Sequence, residues 1–124
     1  MAILSNTLSL ENIKQQTVGE HDEHQNNFTT ARPITQRSGT VRIEPAAASI
    51  ALTFGYNRLR PGQELLIVNV SGSYSAVIDT PSGVTWDGTN DRATFGTGGD
   101  ALLVRAISDT RWFVIVNIGS VSFS

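Results

Sequence analysis

The chain has 124 residues, a net charge of −2, a pI near 5.5 and no cysteine. This length supports a single domain, and the acidic balance argues against the general phosphate attraction of nucleic-acid-binding proteins. Without cysteine, neither a disulfide framework nor a thiolate zinc site can form, so stability must come from packing or association.

Residues 1–38 are predicted to form an extended N-terminal arm. They are rich in Asn, Gln, Thr and His and contain few apolar residues. The pattern allows a short helix over residues 9–18, with Ser9 as its cap but without the glutamate of a capping box. Residues 1–10 have no basic leader and no long hydrophobic run, so we expect neither a secretory signal nor a membrane span.

Short β-strands are predicted from Gly39 onward. Residues 40–44 and 49–54 alternate polar and apolar side chains, which is typical of half-buried strands. Pro61 and Gly62 suit the two central positions of a type II turn, because proline fixes a negative φ and glycine tolerates a positive one. Residues 64–70 are apolar and β-branched enough for a central strand.

The second half of this region continues the pattern. A hairpin is expected where residues 84–86 and 92–95 flank Asp87 and Gly88, a pair suited to tight turns. The remaining predicted strands are residues 74–78, 101–107, 111–117 and 121–123. The sequence thus predicts an all-β chain in which residues 39–124 form a small β-sandwich or jelly-roll-like domain, with its strands in meander or Greek-key order.

Possible sites of chemistry are few, and each has a simpler structural interpretation. The one group of metal-ligand types, His21, Asp22, Glu23 and His24, places its histidines three apart with little helical support, so a solvated segment is favoured. Gly96, Thr97, Gly98 and Gly99 resemble a phosphate loop, but a strand follows them where such a loop needs a helix.

Aspartates and aromatic residues likewise have a functional interpretation and a structural one. We assign the five aspartates of the β-region to turns, which favour this residue, over a calcium or glycosidase site; they are Asp79, Asp87, Asp91, Asp100 and Asp109. Trp86, Trp112 and Tyr56 are of the type that stacks on sugars, but core packing is favoured. With no cysteine and both histidines in the arm, nucleophilic catalysis is poorly supported, and we expect no catalytic residue, metal or cofactor.

Arginine use suggests an interface. Lys14 is the only lysine, whereas the β-region carries several arginines. Arginine pairs with carboxylates in a bidentate manner and suits interfaces, although genomic base composition would produce the same bias. The candidate oligomer-interface residues are Arg42, Arg58, Arg60, Arg105 and Arg111.

Four segments resemble small β-domains of tailed-bacteriophage virion proteins. They are residues 59–65 (LRPGQEL), 84–90 (VTWDGTN), 106–112 (AISDTRW) and 117–121 (NIGSV), in a resemblance that covers about two-thirds of the chain. It implies a non-enzymatic structural protein, usually a homotrimer, that serves as a capsid decoration (cement) protein or as part of a fibre. It also implies a virion location on the capsid surface after synthesis in the host cytoplasm.

The arm favours decoration. About 38 extended residues span on the order of 100 Å, enough to cross a boundary between capsomers and contact the major capsid protein. Its apolar side chains are the candidate anchors, namely Ile3, Leu4, Leu8, Leu10 and Ile13, with Phe28 and Ile34 as secondary ones. This hypothesis predicts that removing residues 1–30 leaves the β-domain folded but abolishes capsid binding.

A fibre domain is the alternative, with a host receptor or glycan bound by Trp86, Asn90 and the loop of residues 96–100. A secreted lectin-like module is less well supported, because no export signal is expected. Nucleic acid and membrane are not expected partners of any of these proteins.

Overall fold

A computed structural model describes residues 25–124 of the chain. Within them the chain is all-β and contains no helix, which confirms the predicted fold class. The nine strands are β1 (Gln25–Phe28), β2 (Gly39–Ile43), β3 (Ile50–Thr53), β4 (Glu64–Asn69), β5 (Ala76–Asp79), β6 (Arg92–Phe95), β7 (Ala101–Ser108), β8 (Arg111–Ile118) and β9 (Ser122–Phe123). The predicted helix over residues 9–18 lies outside the described residues.

The strands form two sheets, as expected of a sandwich. One sheet has four strands in the order β9-β6-β5-β3, and the other has five in the order β1-β2-β4-β7-β8. Alternate residues of both sheets point into a shared apolar core, in which Val41, Ile67 and Leu102 form one fully buried cross-strand row. Each such side chain contributes roughly 1.5–3 kcal/mol by leaving water.

Strand order differs from the predicted meander or Greek key. The pairs β1/β2, β2/β4 and β3/β5 are parallel, whereas β4/β7, β7/β8, β5/β6 and β6/β9 are antiparallel. Parallel neighbours need a crossover connection, and between β2 and β4 and between β3 and β5 the chain makes it by passing through a strand of the opposite sheet. Residues 29–38, between β1 and β2, form no strand and make only an isolated bridge, Ile34 with Phe54. An alternating pattern shows which side of a strand is buried but not which strand lies beside it.

Residues 25–38 belong to the sandwich, which differs from the prediction of an arm that runs to residue 38. β1 pairs with β2, and Phe28 and Ile34 are fully buried in the core. Buried Gln36 donates its side-chain N–H groups to the carbonyls of Ser38 and Thr40. Two isolated apolar residues in a polar stretch give no periodic signal, although the chain's own sheets cover both of them.

Two predicted turns have different outcomes. The turn at Pro61 and Gly62 is confirmed, because Gln63 N–H donates to Arg60 O at 2.9 Å and Gly62 has a φ of 92°. The predicted hairpin of residues 84–86 with residues 92–95 is wrong, because β6 pairs instead with β5 and β9.

Residues 84–86, just before Asp87, contact β8 and the core instead of β6. Thr85 makes an isolated parallel bridge with Arg111, and Trp86 is fully buried in the core. These contacts direct residues 84–86 away from β6, so that Asp87 and Gly88 close a local loop instead of a hairpin.

Candidate interaction surface

The outer faces of the two sheets have different chemistry. On the four-stranded sheet, one cross-strand row is Ala51, Val77, Thr94 and Ser122. In the next row, Arg92 donates to both carboxylate oxygens of Asp79, at 2.7 and 2.9 Å. Small, hydroxyl and charged side chains of this kind are suited to contact with water.

The outer face of the five-stranded sheet is largely apolar from β4 to β8. The side chains of β4 and β7 alternate between the core and this face, so Leu66, Leu103 and Ile107 point outward. From β8, Phe113, Val116 and Ile118 lie on the same side. We call these six residues the apolar face: Leu66, Leu103, Ile107, Phe113, Val116 and Ile118.

Strand register makes the apolar face continuous. Leu66 pairs with Leu103, and Leu103 pairs with Val116, so the three side chains form one row across β4, β7 and β8. A neighbouring row joins Val68, Ala101 and Ile118. Directly opposed side chains lie about 5 Å apart, so neighbours within each row contact one another.

The exposed fractions of these side chains are large for apolar residues. Ile118 is 54% exposed, Ile107 53%, Phe113 52% and Val116 41%. Three strands spaced about 4.8 Å apart and roughly 20 Å long give a patch on the order of 300 Å², before side-chain relief is counted. The largest apolar patch of a soluble monomer typically covers about 300–600 Å² and is often functional, which makes this face the candidate interaction surface of the described residues.

A β-bulge interrupts the free edge of β8. The register shifts where Leu103 pairs with Val116 while Val104 pairs with Val114, which leaves Ile115 without a partner on β7. Bulges bend a strand and disturb its hydrogen-bonding edge, a common obstacle to edge-to-edge pairing. The apolar face is therefore a better candidate contact than the edge.

One charge of each sign lies in a row that crosses the apolar face, between Leu103 and Ile107 of β7. Glu64 on β4 lies directly opposite Arg105 on β7, and Arg105 lies opposite Phe113 on β8. Among the described residues neither Glu64 nor Arg105 has an ion-pair or hydrogen-bond partner for its side chain. Further across the sheet, Arg42 pairs with Glu44 at 2.7 Å and donates to Asn27 at 3.0 Å.

The candidate interface arginines are not brought together. Arg42 and Arg105 lie on the outer face of the five-stranded sheet, and Arg60 is exposed in the turn before β4. Arg58 donates to the carbonyls of Asn57 and Ser82, and Arg111 donates to the carbonyl of Asp87. Two of the five therefore hold loops of their own chain.

The predicted arm anchors divide into two groups. Phe28 and Ile34 are core residues with no exposed surface, which corrects their interpretation as anchors for a partner. The other anchors, Ile3, Leu4, Leu8, Leu10 and Ile13, lie outside the described residues, as does the His21–His24 segment.

The aromatic side chains pack in the core, as predicted. Trp86 and Trp112 are fully buried and stack with ring centroids 6.0 Å apart. Tyr56 packs against Phe54 and donates its hydroxyl to Gln36 O at 3.0 Å, and burial raises its pKa. Trp86 accordingly offers no face for a glycan, which corrects its assignment in the fibre alternative.

Aspartates mostly act in turns. The Asp87 carboxylate accepts hydrogen bonds from the backbone N–H groups of Asn90 (2.7 Å) and Thr89 (3.0 Å), and these bonds lower its pKa, with that of Asn90 contributing most. Asp100 accepts from Gly96 N–H at 2.8 Å. Asp79 is the exception, because it ends β5 and its pKa is lowered chiefly by its hydrogen bonds with Arg92.

Residues 96–99 form a connection between sheets and are not placed before a helix. They join β6 of the four-stranded sheet to β7 of the five-stranded one. Gly98 and Gly99 both have positive φ and donate their N–H groups to Ser71 O and Asn69 O. Backbone donors that are satisfied within the chain leave little to hold a phosphate.

One open pocket of about 360 Å³ lies where β5 ends and β6 begins, on the two inner strands of the four-stranded sheet. Asp79, Asp91, Arg92 and Ser124 line it. Because Arg92 already binds both oxygens of Asp79, the positive charge that these carboxylates would attract is supplied within the chain. Across residues 25–124, His, Cys, Asp and Glu residues form no group of three or more that could hold a metal.

The apolar face was missed by the sequence interpretation, although its residues lie in confirmed strands. The continuous apolar run from Trp112 to Val116 is typical of a central strand, buried on both sides. In the structure this run lies in β8, at the edge of its sheet. The outward side chains that a central strand would bury inside a domain are therefore exposed.

Comparison with known proteins adds no relative. No protein-family model and no curated protein matches the chain. In residues 25–124 no helix is long and apolar enough to cross a membrane.

Proposed function

We propose that the chain is a non-enzymatic structural protein of a virus particle, most specifically a decoration (cement) protein on the capsid of a tailed bacteriophage. In this proposal it stabilises the shell by clamping neighbouring capsomers, binds the major capsid protein and forms a homotrimer. It is made in the host cytoplasm and is located on the capsid surface.

The observation that carries this proposal is the apolar face. A chain that works by assembly needs a surface that is covered only in the assembled state, and about half of the surface of Phe113, Ile107 and Ile118 is exposed in the isolated chain. That the assembly is a phage particle is suggested by the resemblance to phage virion domains, which rests on residues 59–65, 84–90, 106–112 and 117–121.

A fibre domain that binds a host receptor or glycan is the competing proposal. It needs an exposed aromatic platform, and burial of Trp86 removes the one that the sequence offered. The side chain of Asn90 is held by Asp87 at 2.9 Å, so it is also engaged within the chain. Decoration is therefore the better supported of the two.

Purified phage shells that lack the chain provide the test. Adding the full chain is expected to raise the temperature at which the shells break and to protect them from loss of divalent ions. Bovine serum albumin, added at the same concentration, controls for non-specific protein effects. Unchanged shell stability together with binding to host cells or polysaccharide would favour the fibre proposal.

The N-terminal segment is tested separately. Because residues 25–38 belong to the sandwich, the segment tested is residues 1–24. Replacing the five apolar anchors of residues 1–24 by serine in the full-length chain is expected to abolish shell binding while leaving thermal unfolding unchanged. Removing residues 1–30 is no longer a clean experiment, because it takes Phe28 out of the core, and loss of a buried phenylalanine side chain costs about 3–5 kcal/mol. Full shell binding by the serine variant would contradict the arm hypothesis.

A further inference from the structure

The apolar face is suited to contact with a partner, and the charges beside its apolar residues indicate which kind of partner. The row of Leu66, Leu103 and Val116 is apolar, whereas the next row presents Glu64 and Arg105, one charge of each sign, beside Phe113. A strongly charged partner would be met by one predominant sign. A row that carries both signs is self-complementary, because Arg105 of one copy can meet Glu64 of another.

We infer that the apolar face is covered by the apolar face of a second copy of this chain. The two five-stranded sheets would pack face to face about 10 Å apart, as the sheets of a sandwich do. Phe113, Val116 and Leu103 would then lie at the centre of the contact. The inference rests on the proposed function in one respect, namely that the chain acts as an oligomer. It departs from it in another, because a face that packs against itself closes at two copies and so makes a dimer instead of a homotrimer.

The outer surface of the whole five-stranded sheet, which includes the apolar face, is of the size that such a contact needs. Five strands about 4.8 Å apart and roughly 20 Å long give a sheet face on the order of 500 Å² even as a flat rectangle. This is of the same order as the ~800 Å² that each partner contributes to a standard protein interface. The patch of the isolated chain would become the apolar part of that interface, and Glu64 and Arg105 would lie beside Phe113 within it.

Packing of faces explains the exposed residues better than pairing of edges. Edge pairing along β8 would meet the bulge at Ile115, where the spacing of free N–H and C=O groups is irregular. It would also leave Leu66 and Leu103, which lie inside the sheet, exposed to water. Face packing covers the side chains of β4, β7 and β8 together.

The opposite surface of the sandwich is unsuited to the same role. Its outer face carries the Asp79–Arg92 ion pair, and exposed Ala51 and Ser122 offer little apolar area. That sheet remains available to water or to the shell. The two functions of the proposed protein, self-association and shell binding, would thus use different surfaces.

The test measures the mass of the purified full-length chain by size-exclusion chromatography with light scattering, over a dilution series and without capsids. The expected result is a mass of two copies, and a mass of three copies would contradict packing of one apolar face on another. Phe113→Glu combined with Val116→Glu is expected to give a monomer at all concentrations, because carboxylates would be buried at the contact. Ala51→Glu combined with Ser122→Glu adds the same charge to the other sheet and is expected to keep the wild-type mass.

Tryptophan fluorescence of Trp86 and Trp112 verifies folding of each variant, because both are fully buried in the core. A cysteine cross-link gives a second readout that does not depend on a disruptive change, since the chain has no cysteine of its own. Under mild oxidation Val116→Cys is expected to form a covalent dimer, and Ala51→Cys is expected to stay monomeric.

A monomeric wild-type chain would overturn the inference, including the case in which residues 1–24 fold back over the apolar face of their own chain. Association that survives the Phe113 and Val116 substitutions in a folded variant would overturn it too. Neither result bears on shell binding, whereas an oligomer that fails to bind or stabilise shells would sink the proposed function and leave this inference standing.

Discussion

Single polar residues in the core hold loops in place through their hydrogen bonds. Asn69 is fully buried at the end of β4, where its amide donates to Gly96 O at 2.8 Å and to Tyr74 O at 3.0 Å. Its carbonyl oxygen accepts from Ser71 N–H at 3.0 Å. This one side chain therefore joins the turn after β4 to the loop after β6.

Asn69→Ala is expected to lower the free energy of unfolding by about 3 kcal/mol. Removing the amide strands two carbonyls and one N–H, and each unpaired buried group costs roughly 1–3 kcal/mol, some of it recovered by entering water. Urea unfolding followed by tryptophan fluorescence measures the loss. Asn57→Ala is the control: Asn57 is exposed, so a change within about 0.5 kcal/mol is expected. Equal losses in both variants would contradict this role for Asn69.

The hydrogen bonds of the Asp87 carboxylate predict that the free energy of unfolding depends on pH in the acidic range. Its hydrogen bonds from Asn90 and Thr89 lower the pKa in the folded state, so the ionised form stabilises the fold. This contribution is present above the unfolded pKa of about 3.9 and is lost as the pH falls through the folded value.

Asp87→Asn should therefore be less stable than the wild type at neutral pH by about 1 kcal/mol, with a difference that shrinks below about pH 4. Thermal unfolding at a series of pH values from neutral to acid measures this difference. Asp109→Asn removes the same charge at an exposed turn and serves as the matched control. A difference between wild type and Asp87→Asn that stays constant down to the lowest pH would rule out the proposed linkage.

At the scale of elements, the turn before β4 shows how backbone geometry decides a substitution. Gly62 has a φ of 92°, and a Cβ added there would meet nothing within 4 Å. Gly62→Ala is expected to cost about 1–2 kcal/mol, because the left-handed conformation alone penalises a side chain. Gly72 has equally open space without a positive φ, so Gly72→Ala should be neutral or stabilising by up to about 1 kcal/mol. Thermal unfolding compares the two, and equal effects would show that φ is not the cause.

Most strand positions after residue 39 were predictable from sequence, whereas β1 and the strand partners were not. The alternation in residues 40–44 marked β2, and the apolar, β-branched run of residues 64–70 marked β4. Nothing in that pattern shows that β2 lies parallel to β4 while β3 crosses to the other sheet. The same limit produced the wrong hairpin, since burial of Trp86 took residues 84–86 away from β6.

The apolar face could not be predicted from the sequence for the same reason, because it depends on which strands lie side by side. The apolar run of β8 was visible in the sequence, but only its place at the sheet edge and the pairing of Leu66, Leu103 and Val116 make it a surface. The burial of Phe28 and Ile34 was equally hidden, because a single apolar side chain in a polar segment has no period. Contacts that join residues distant in sequence decided both outcomes.

At the scale of the whole molecule, the sandwich has one polar outer face and one apolar outer face. Such asymmetry costs solubility in a monomer and is useful in an assembly, where the apolar face is buried and the polar face meets water or the shell. In the proposal, the chain associates with a second copy through its apolar face and leaves the polar face free for water or the shell.

The copy number of the chain per virus particle tests the proposed function most directly. Quantitative mass spectrometry of purified particles of a phage that encodes the chain would measure it against the major capsid protein. A decoration protein is expected to be present in hundreds of copies, because its sites repeat over the whole shell. A few to a few tens of copies would place it in a fibre or tail, and its absence from the particle would contradict the virion assignment altogether.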